Sequence, residues 1–168
     1  MTDLVQTTIP SPLGALTLIM AGEAIVLCEF ADKQQRIAKY LAKFYAGTPI
    51  TIATEKDHLF TPIKAAFAAY FKGNGAALEG LKMKCHASGS AFDQRVWVAL
   101  RTIPNGETWS YKQLAEVVGS HPRAVGGANG RNPIALITPC HRVIGKNGSL
   151  TGYAGGLIRK KWLLEMEK

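Results

Sequence analysis

Apolar residues recur along this chain on two different periods, and the change of period divides it into elements. Near the start, residues 4–9, 15–20 and 24–30 read as short strands, with turns at Ser11-Pro12-Leu13-Gly14 and Ala21-Gly22-Glu23. β-prone runs separated by turn residues predict an antiparallel meander. Over residues 33–45 the spacing becomes Ile37, Tyr40, Leu41 and Phe44, the i, i+3, i+4, i+7 pattern of an amphipathic helix. Thr61-Pro62 reads as an N-cap followed by proline at the first helical position. The helix it opens runs through Ile63, Phe67, Tyr70 and Phe71 and ends at Gly73. Residues 73–90 carry few order signals and read as a linker. They divide the chain into an N-terminal α/β unit, 1–86, and a mainly helical unit, 87–168.

In the second unit Phe92, Val96, Ala99, Leu100 and Ile103 form one apolar stripe, stopped by Pro104-Asn105-Gly106. Ser110-x-x-Gln113 is a capping box that opens a helix through Leu114, Ala115 and Val118, closed by Gly119. A further short helix starts near Ser120 and runs from Pro122 to about Ala128. Two short helices joined by a tight glycine-containing turn make a helix-turn-helix candidate. The second helix, Arg123-Ala124-Val125-Gly126-Gly127-Ala128, carries adjacent glycines that cost about 1 kcal/mol each relative to alanine. Helix propensity does not explain them. A smooth face that a neighbouring helix or a nucleic-acid groove approaches closely does. Arg123 stands at its N-terminal end, where recognition helices contact bases.

Composition narrows the classes. The chain has 168 residues, 47% apolar and 19% charged, as expected of a folded globular protein with one domain or two small ones sharing an interface. No apolar run is long enough to span a bilayer, and Met1–Gln6 lacks a basic region and an apolar core, so neither a membrane partner nor a signal peptide is expected. Three widely spaced cysteines, Cys28, Cys85 and Cys140, make no disulfide framework and point to a reducing, cytoplasmic setting. Net charge is +8. Residues 1–86 hold nine Lys/Arg against seven Asp/Glu, and residues 87–168 hold eleven against five. The excess therefore lies with the helix-turn-helix, where it suits an anionic partner.

Chemistry concentrates in Asn132-Pro133-Ile134-Ala135-Leu136-Ile137-Thr138-Pro139-Cys140-His141-Arg142-Val143. An apolar run leads to Pro139, which fixes the backbone just ahead of a thiol followed by imidazole and guanidinium. A thiol attacks as its thiolate, and a neighbouring cation or base promotes that form. Cys28 lies within a predicted strand and reads as core filler. Cys85 reads as inert too, unless a partly exposed linker thiol there is open to oxidation.

Pro139-Cys140-His141-Arg142-Val143 resembles the active-site motif of the O6-alkylguanine-DNA alkyltransferases, or methylated-DNA–protein-cysteine methyltransferases. Gly106-Glu107-Thr108-Trp109-Ser110-Tyr111, Arg123 to Ala128, Asn132-Pro133, Gly152-Tyr153-Ala154-Gly155-Gly156 and Lys161-Trp162-Leu163-Leu164 also resemble family segments, in family order. The likeness is nearly continuous from Gly89 to Glu167. In the first half it rests on Ser11-Pro12-Leu13-Gly14 and the strand-then-helix pattern. It implies an α+β fold, with a small ribonuclease H-like domain before a winged helix-turn-helix. It implies a monomer on double-stranded DNA containing O6-alkylguanine, with cooperative binding along the duplex left open, that flips the damaged base out of the stack. The alkyl group of O6-methylguanine, and of O4-methylthymine, would pass irreversibly to Cys140, with no cofactor. His141 would take the thiol proton through a water, Glu167 would orient His141, and Tyr111 would donate a proton to the leaving guanine. Asn132 would be the hinge, and Arg123 would fill the vacated space. Ser110, Tyr111, Ala124, Gly126 and Gly127 would meet DNA. Val143, Tyr153 and Ala154 would grip the base through backbone groups, and Gly155 would keep the pocket open.

Departures from the family pattern mark where to look. The turn Ser120-His121-Pro122 is short, which puts the position of Arg123 in question. Ala154 replaces the serine of some members, leaving only its backbone to serve. Cys28, Cys85, His58 and His86 do not match the zinc site of other members, so no structural metal is expected. A methylphosphotriester-sensing domain is not expected either. Three rivals are weighed: an alkyltransferase-like protein that binds lesions without transfer, a DNA-binding regulator and a cysteine hydrolase. Cys140 argues against the first, and Tyr111 with Glu167 against the second. The third would need an oxyanion hole, for which no signature is visible.

Overall fold

The computed structural model describes residues 2–168; Met1, part of the N-terminal segment read above, lies outside the described residues. The first three strands are β1 (Leu4–Ile9), β2 (Leu16–Ala21) and β3 (Ala24–Phe30), and they form the expected antiparallel meander. α1 (Gln34–Phe44) follows. β4 (Ile50–Ile52) then returns to pair with β1 in parallel, so the sheet has the order β3-β2-β1-β4 and is mixed. All three β4 residues are exposed, and Ile50-Thr51-Ile52 is too short a run for its alternation to register as a strand in the sequence. α2 (Thr61–Phe71) buries Ile63, Phe67 and Tyr70 against the sheet core. Thr61 is not its N-cap: a 3-10 turn at His58–Phe60 runs straight into the helix, and Thr61 is its first residue.

Residues 73–90 are more ordered than a linker. A 3-10 helix spans Glu79–Lys84 and, with its flanks, sends Leu78, Leu81 and Cys85 into the core. The Cys85 thiol is buried, donates to Leu81 O at 3.6 Å and is pushed up to about 11 by that burial, so the expectation of a partly exposed thiol is corrected. Burial also raises the Cys28 thiol well above its ordinary value.

In the second half α3 (Ala91–Leu100) begins at Ser90, whose hydroxyl accepts from Asp93 N. α4 (Tyr111–Val118) opens on the full Ser110/Gln113 capping box, and Gly119 closes it in the left-handed conformation. α5 (Pro122–Gly130) starts after His121, whose Nδ1 accepts from Ala124 N at 3.4 Å. The short turn therefore suffices for a helix-turn-helix of α4 and α5. The Trp97 indole beneath α5 donates to Ala128 O at 2.9 Å, tying α3 to it. β5 (Trp109–Ser110) and β6 (Val143–Ile144) form a short parallel pair, and α6 (Leu157–Met166) ends the fold.

One apolar cluster runs through both halves. Phe30, Phe60, Phe67 and Tyr70 pack with Ile134, Leu136, Ile137 and Leu163. The outer edge of β3 is closed by the chain leading to Cys140: Cys28 N donates to Pro133 O at 2.9 Å, and Ala135 N donates to Cys28 O at 2.7 Å. The first half thus fixes the height and direction from which residues 134–140 approach the site. Among the described residues no helix is long and apolar enough to cross a membrane.

Candidate active site

Cys140, His141 and Arg142 occupy a 3-10 turn that β6 follows. All three are buried. Burial pushes the Cys140 thiol up to about 11, so the resting sulfur is protonated and needs a base at the moment of attack. Its neighbour can supply one. His141 Nε2 lies 2.9 Å from Glu167 Oε2. Glu167 is buried, which by itself would raise its carboxyl, but its bonds with His141 and Arg142 outweigh this and hold it well below the usual range. An ionised carboxylate there selects the tautomer with the proton on Nε2, leaving the Nδ1 lone pair basic. Nδ1 is buried and has no partner among the described residues. Cysteine and histidine, though adjacent in sequence, thus divide the work: the sulfur lines a cleft while the ring turns to the helix terminus that carries Glu167.

Asn132 holds the chain between α5 and the thiol. Its Oδ1 accepts from Ile134 N at 3.0 Å, and its Nδ2 donates to Thr138 O at 2.9 Å and Ile134 O at 3.3 Å. Leu136, inside the bracketed segment, sits at φ 71°, a left-handed conformation that a leucine keeps only when its surroundings impose it. The cleft that reaches Cys140 is lined by Asn129, Asn132, Ala135, Tyr153, Ala154 and Gly155. Gly155 also has a packing reason. A Cβ there would lie 2.6 Å from the Tyr153 ring and 3.1 Å from that of Phe30, so glycine lets two rings close over the backbone. Burial raises the Tyr153 hydroxyl well above its ordinary value, and that oxygen has no partner among the described residues.

Val143 follows directly on the turn. Its N–H turns to Cys140 O and its carbonyl accepts from Lys160 Nζ at 2.5 Å. It is buried in the core and braces the turn.

The predicted DNA face gathers on α4 and α5. Arg123 is exposed on the first turn of α5, with no hydrogen bond or ion pair among the described residues; Ala124, Gly126 and Gly127 follow on the same helix. Both glycines also have internal reasons. Gly126 faces the Tyr111 ring at 3.7 Å from an added Cβ, and Gly127 lies under Arg131, which pairs with Asp93 at 2.8 Å. Half-buried Tyr111 opens α4, and burial raises its hydroxyl, which donates to Thr151 O at 3.3 Å. It shares an apolar cluster with Cys140. Ser110 is spent on its cap.

Four contributions escaped the sequence reading. Arg142 grips Glu167 through two bonds and donates to Ile103 O at 2.7 Å. Lys160 is fully buried, and its Nζ bonds Val143 O and Thr151 O, clipping the 143–151 loop. Burial lowers its ammonium to about 8. Arg36 reaches Asn132 O at 3.4 Å and pairs with buried Glu29 at 3.2 Å, bringing the first half to the cleft wall. Tyr70 donates to Glu167 Oε2 at 2.5 Å. Among the described residues no cluster of three His, Cys, Asp or Glu is placed to hold a metal.

Comparison with known proteins agrees with this layout. Residues 4–84 match the family model described as 6-O-methylguanine DNA methyltransferase, ribonuclease-like domain, and residues 91–168 match its DNA binding domain. A methylated-DNA–protein-cysteine methyltransferase of Haemophilus influenzae is 39% identical over 170 residues, covering 100% of this chain and 88% of the relative. One of Mycobacterium tuberculosis is 44% identical over 170 residues, covering 96% and 90%. The crystal structure of the Mycobacterium tuberculosis O6-methylguanine methyltransferase superposes with a TM-score of 0.78 at 38% identity, covering 98% of this chain and 93% of that one. The crystal structure of the same organism's OGT in complex with DNA gives a TM-score of 0.77 at 38% identity, covering 99% and 92%. With both halves matched in order and the relatives aligned over nearly their full length, this chain belongs to the methylated-DNA–protein-cysteine methyltransferase family.

Proposed function

We propose that Cys140 is the acceptor in the DNA-repair alkyl transfer that family membership gives this protein, and that each molecule reacts once. The substrate is O6-methylguanine in duplex DNA, with O4-methylthymine as a second lesion. α5 approaches the duplex, and Arg123 fills the space left as the base swings toward the cleft. The His141 Nδ1 lone pair takes the Cys140 proton through a water, with Glu167 compensating the imidazolium charge. The sulfur attacks the O6-bound carbon, so an S–C bond forms as the O–C bond breaks. The bonding pair stays with the guanine, which takes a proton from Tyr111. That proton is restored from His141, so the thiol proton ends on guanine and a thioether remains on the protein. A thioether offers no easy leaving path, and regeneration is not part of the scheme. Residues 1–86 support the site and residues 87–168 bind DNA and carry the transfer. We place this in the cytoplasm on chromosomal DNA, by a monomer.

The observation that supports the scheme best is the buried series Cys140, His141, Glu167, in which an ionised carboxylate leaves His141 Nδ1 as a lone-pair base beside a protonated thiol. The test is to incubate the protein with duplex DNA containing O6-methylguanine and weigh the Cys140 peptide. A gain of one methyl, absent in Cys140→Ser, is expected. Tight DNA binding without any gain in mass would refute the transfer and favour a regulator.

A further inference from the structure

The sequence presents Tyr70 as one more apolar position in a helix stripe with Ile63, Phe67 and Phe71. Its ring behaves that way: it is 1% exposed and packs edge-on against Phe71 at 5.2 Å. A phenylalanine would fill the same space. The hydroxyl is what distinguishes it, and it points out of the first half into the second, meeting Glu167 across 97 positions of sequence. Glu167 lies at the very end of α6, where a helix frays unless something holds it.

The carboxylate is loaded unevenly. Among the described residues Oε1 accepts only from Arg142 Nε, at 3.0 Å. Oε2 accepts from Tyr70 at 2.5 Å, His141 Nε2 at 2.9 Å and Arg142 Nη2 at 2.9 Å. The oxygen that orients the imidazole is therefore the one that Tyr70 shares. The same end of α2 is fixed on the second half from a second direction. In the turn after α2, a Cβ at Gly75 would lie 2.0 Å from the Asn105 amide, and Asn105 Oδ1 accepts from Arg142 Nη2 at 3.4 Å. Of the other charged groups near this carboxylate, Lys168 lines the same small hollow as Tyr70 and Asn105, and Lys161 and Glu165 stand on its solvent side.

We propose that Tyr70 is a positioning residue for alkyl transfer, holding Glu167 Oε2 at His141 and drawing charge from that oxygen, so that the first half completes the proton relay. The inference rests on the Cys140–His141–Glu167 reading above. A hydrogen bond to a buried carboxylate disperses its charge. Without it, Oε2 offers His141 a more concentrated negative charge and favours the imidazolium, which cannot accept the thiol proton. The carboxylate also loses one of the anchors that aim it.

The experiment measures the single-turnover methylation rate of Cys140 by mass, from pH 5.5 to 9, for the parent, Tyr70→Phe, Glu167→Gln and the double variant. DNA affinity and melting temperature are recorded alongside. For Tyr70→Phe the expected result is a rate several-fold lower at pH 7, with an acid limb moved to higher pH so that the deficit shrinks as pH rises, and unchanged DNA affinity. In the Glu167→Gln background the same substitution should have little further effect. A Tyr70→Phe profile that superposes on the parent's, or a deficit equal at every pH, overturns the proposal, as does a fall in melting temperature alone. So does a full Tyr70→Phe effect in the Glu167→Gln background. A parent that leaves Cys140 unmethylated would instead remove the reading on which the proposal stands.

Discussion

Arg142 holds Glu167 at both ends of its guanidinium, Nε to Oε1 at 3.0 Å and Nη2 to Oε2 at 2.9 Å, with the two side chains 4% and 1% exposed. This pair makes the carboxyl of Glu167 a stability element as well as a catalytic one. Its folded-state affinity for protons is depressed below the unfolded value of about 4.3. The stabilisation it gives is therefore complete above that unfolded value and is lost as pH falls below about 4 toward the folded one. Melting temperatures of the parent and of Glu167→Gln should differ most near neutrality and converge in acid. A gap that stays constant from pH 7 to pH 3 would contradict the depressed carboxyl.

Removing the cation is the harsher change. Arg142→Met leaves Glu167 buried with its charge only partly matched, which costs about 3–5 kcal/mol when a buried pair loses one member. Urea unfolding should give a lower midpoint with an unaltered slope. A loss under 1 kcal/mol would mean that water or Lys168 replaces the guanidinium.

Asn132 ties three backbone groups with one buried amide. Asn132→Ala strands the Ile134 N–H, at a cost of about 1–3 kcal/mol, and removes a second bond from the Ile134 and Thr138 carbonyls, which keep those from Thr138 N and Cys140 N. It also releases the left-handed conformation of Leu136. The variant should melt well below the parent and methylate slowly. Asn132→Asp keeps the acceptor for Ile134 N but loses both donors, so it should restore little. Recovery of the parent's rate in Asn132→Asp would argue that the two donated bonds are dispensable.

What could be read from the sequence follows from the range of each interaction. The β1–β3 meander, α1, α3 and the Ser110 cap are set by neighbours within a few residues, and they stand where pattern and capping rules put them. The motif Pro139-Cys140-His141-Arg142 was legible through resemblance, as were Asn132 and Glu167. β4 was not, because Ile50-Thr51-Ile52 is only three residues long and wholly exposed. Residues 79–84 looked loose because a 3-10 helix has no 3.6-residue stripe to display. Tyr70 read as apolar filler and Lys160 drew no reading at all, because the partners that give them meaning lie 97 and 17 positions away.

Arg123 separates DNA handling from chemistry. It is exposed on α5 and bonds nothing among the described residues, so removing its side chain should leave fold and thiol untouched. Arg123→Ala should methylate slowly on duplex DNA but react with free O6-benzylguanine at nearly the parent's rate, since no base then has to leave a stack. Equal slowing on both substrates would place Arg123 in the transfer step and not in base extrusion.

Alkylation itself should loosen the protein. Cys140 is 7% exposed, its carbonyl accepts from Asn129 Nδ2 at 3.4 Å, and Asn132 holds Thr138 two residues upstream. A methyl added to Sγ enters a packed site between the α5 terminus and the chain that Asn132 brackets. Extra methyl groups in such sites cost about 1–3 kcal/mol. At about 2–4 °C per kcal/mol for a chain of this size, the methylated protein should melt several degrees lower. The added carbon pushes on the Asn132 bracket and hence on the C-terminal end of α5, so loss of DNA affinity should accompany the loss of stability. Calorimetry and DNA titration before and after reaction check both, with treated Cys140→Ser as the control. An unchanged or higher melting temperature after full methylation would show that the cleft accommodates the methyl without strain, and release from DNA would then need another cause.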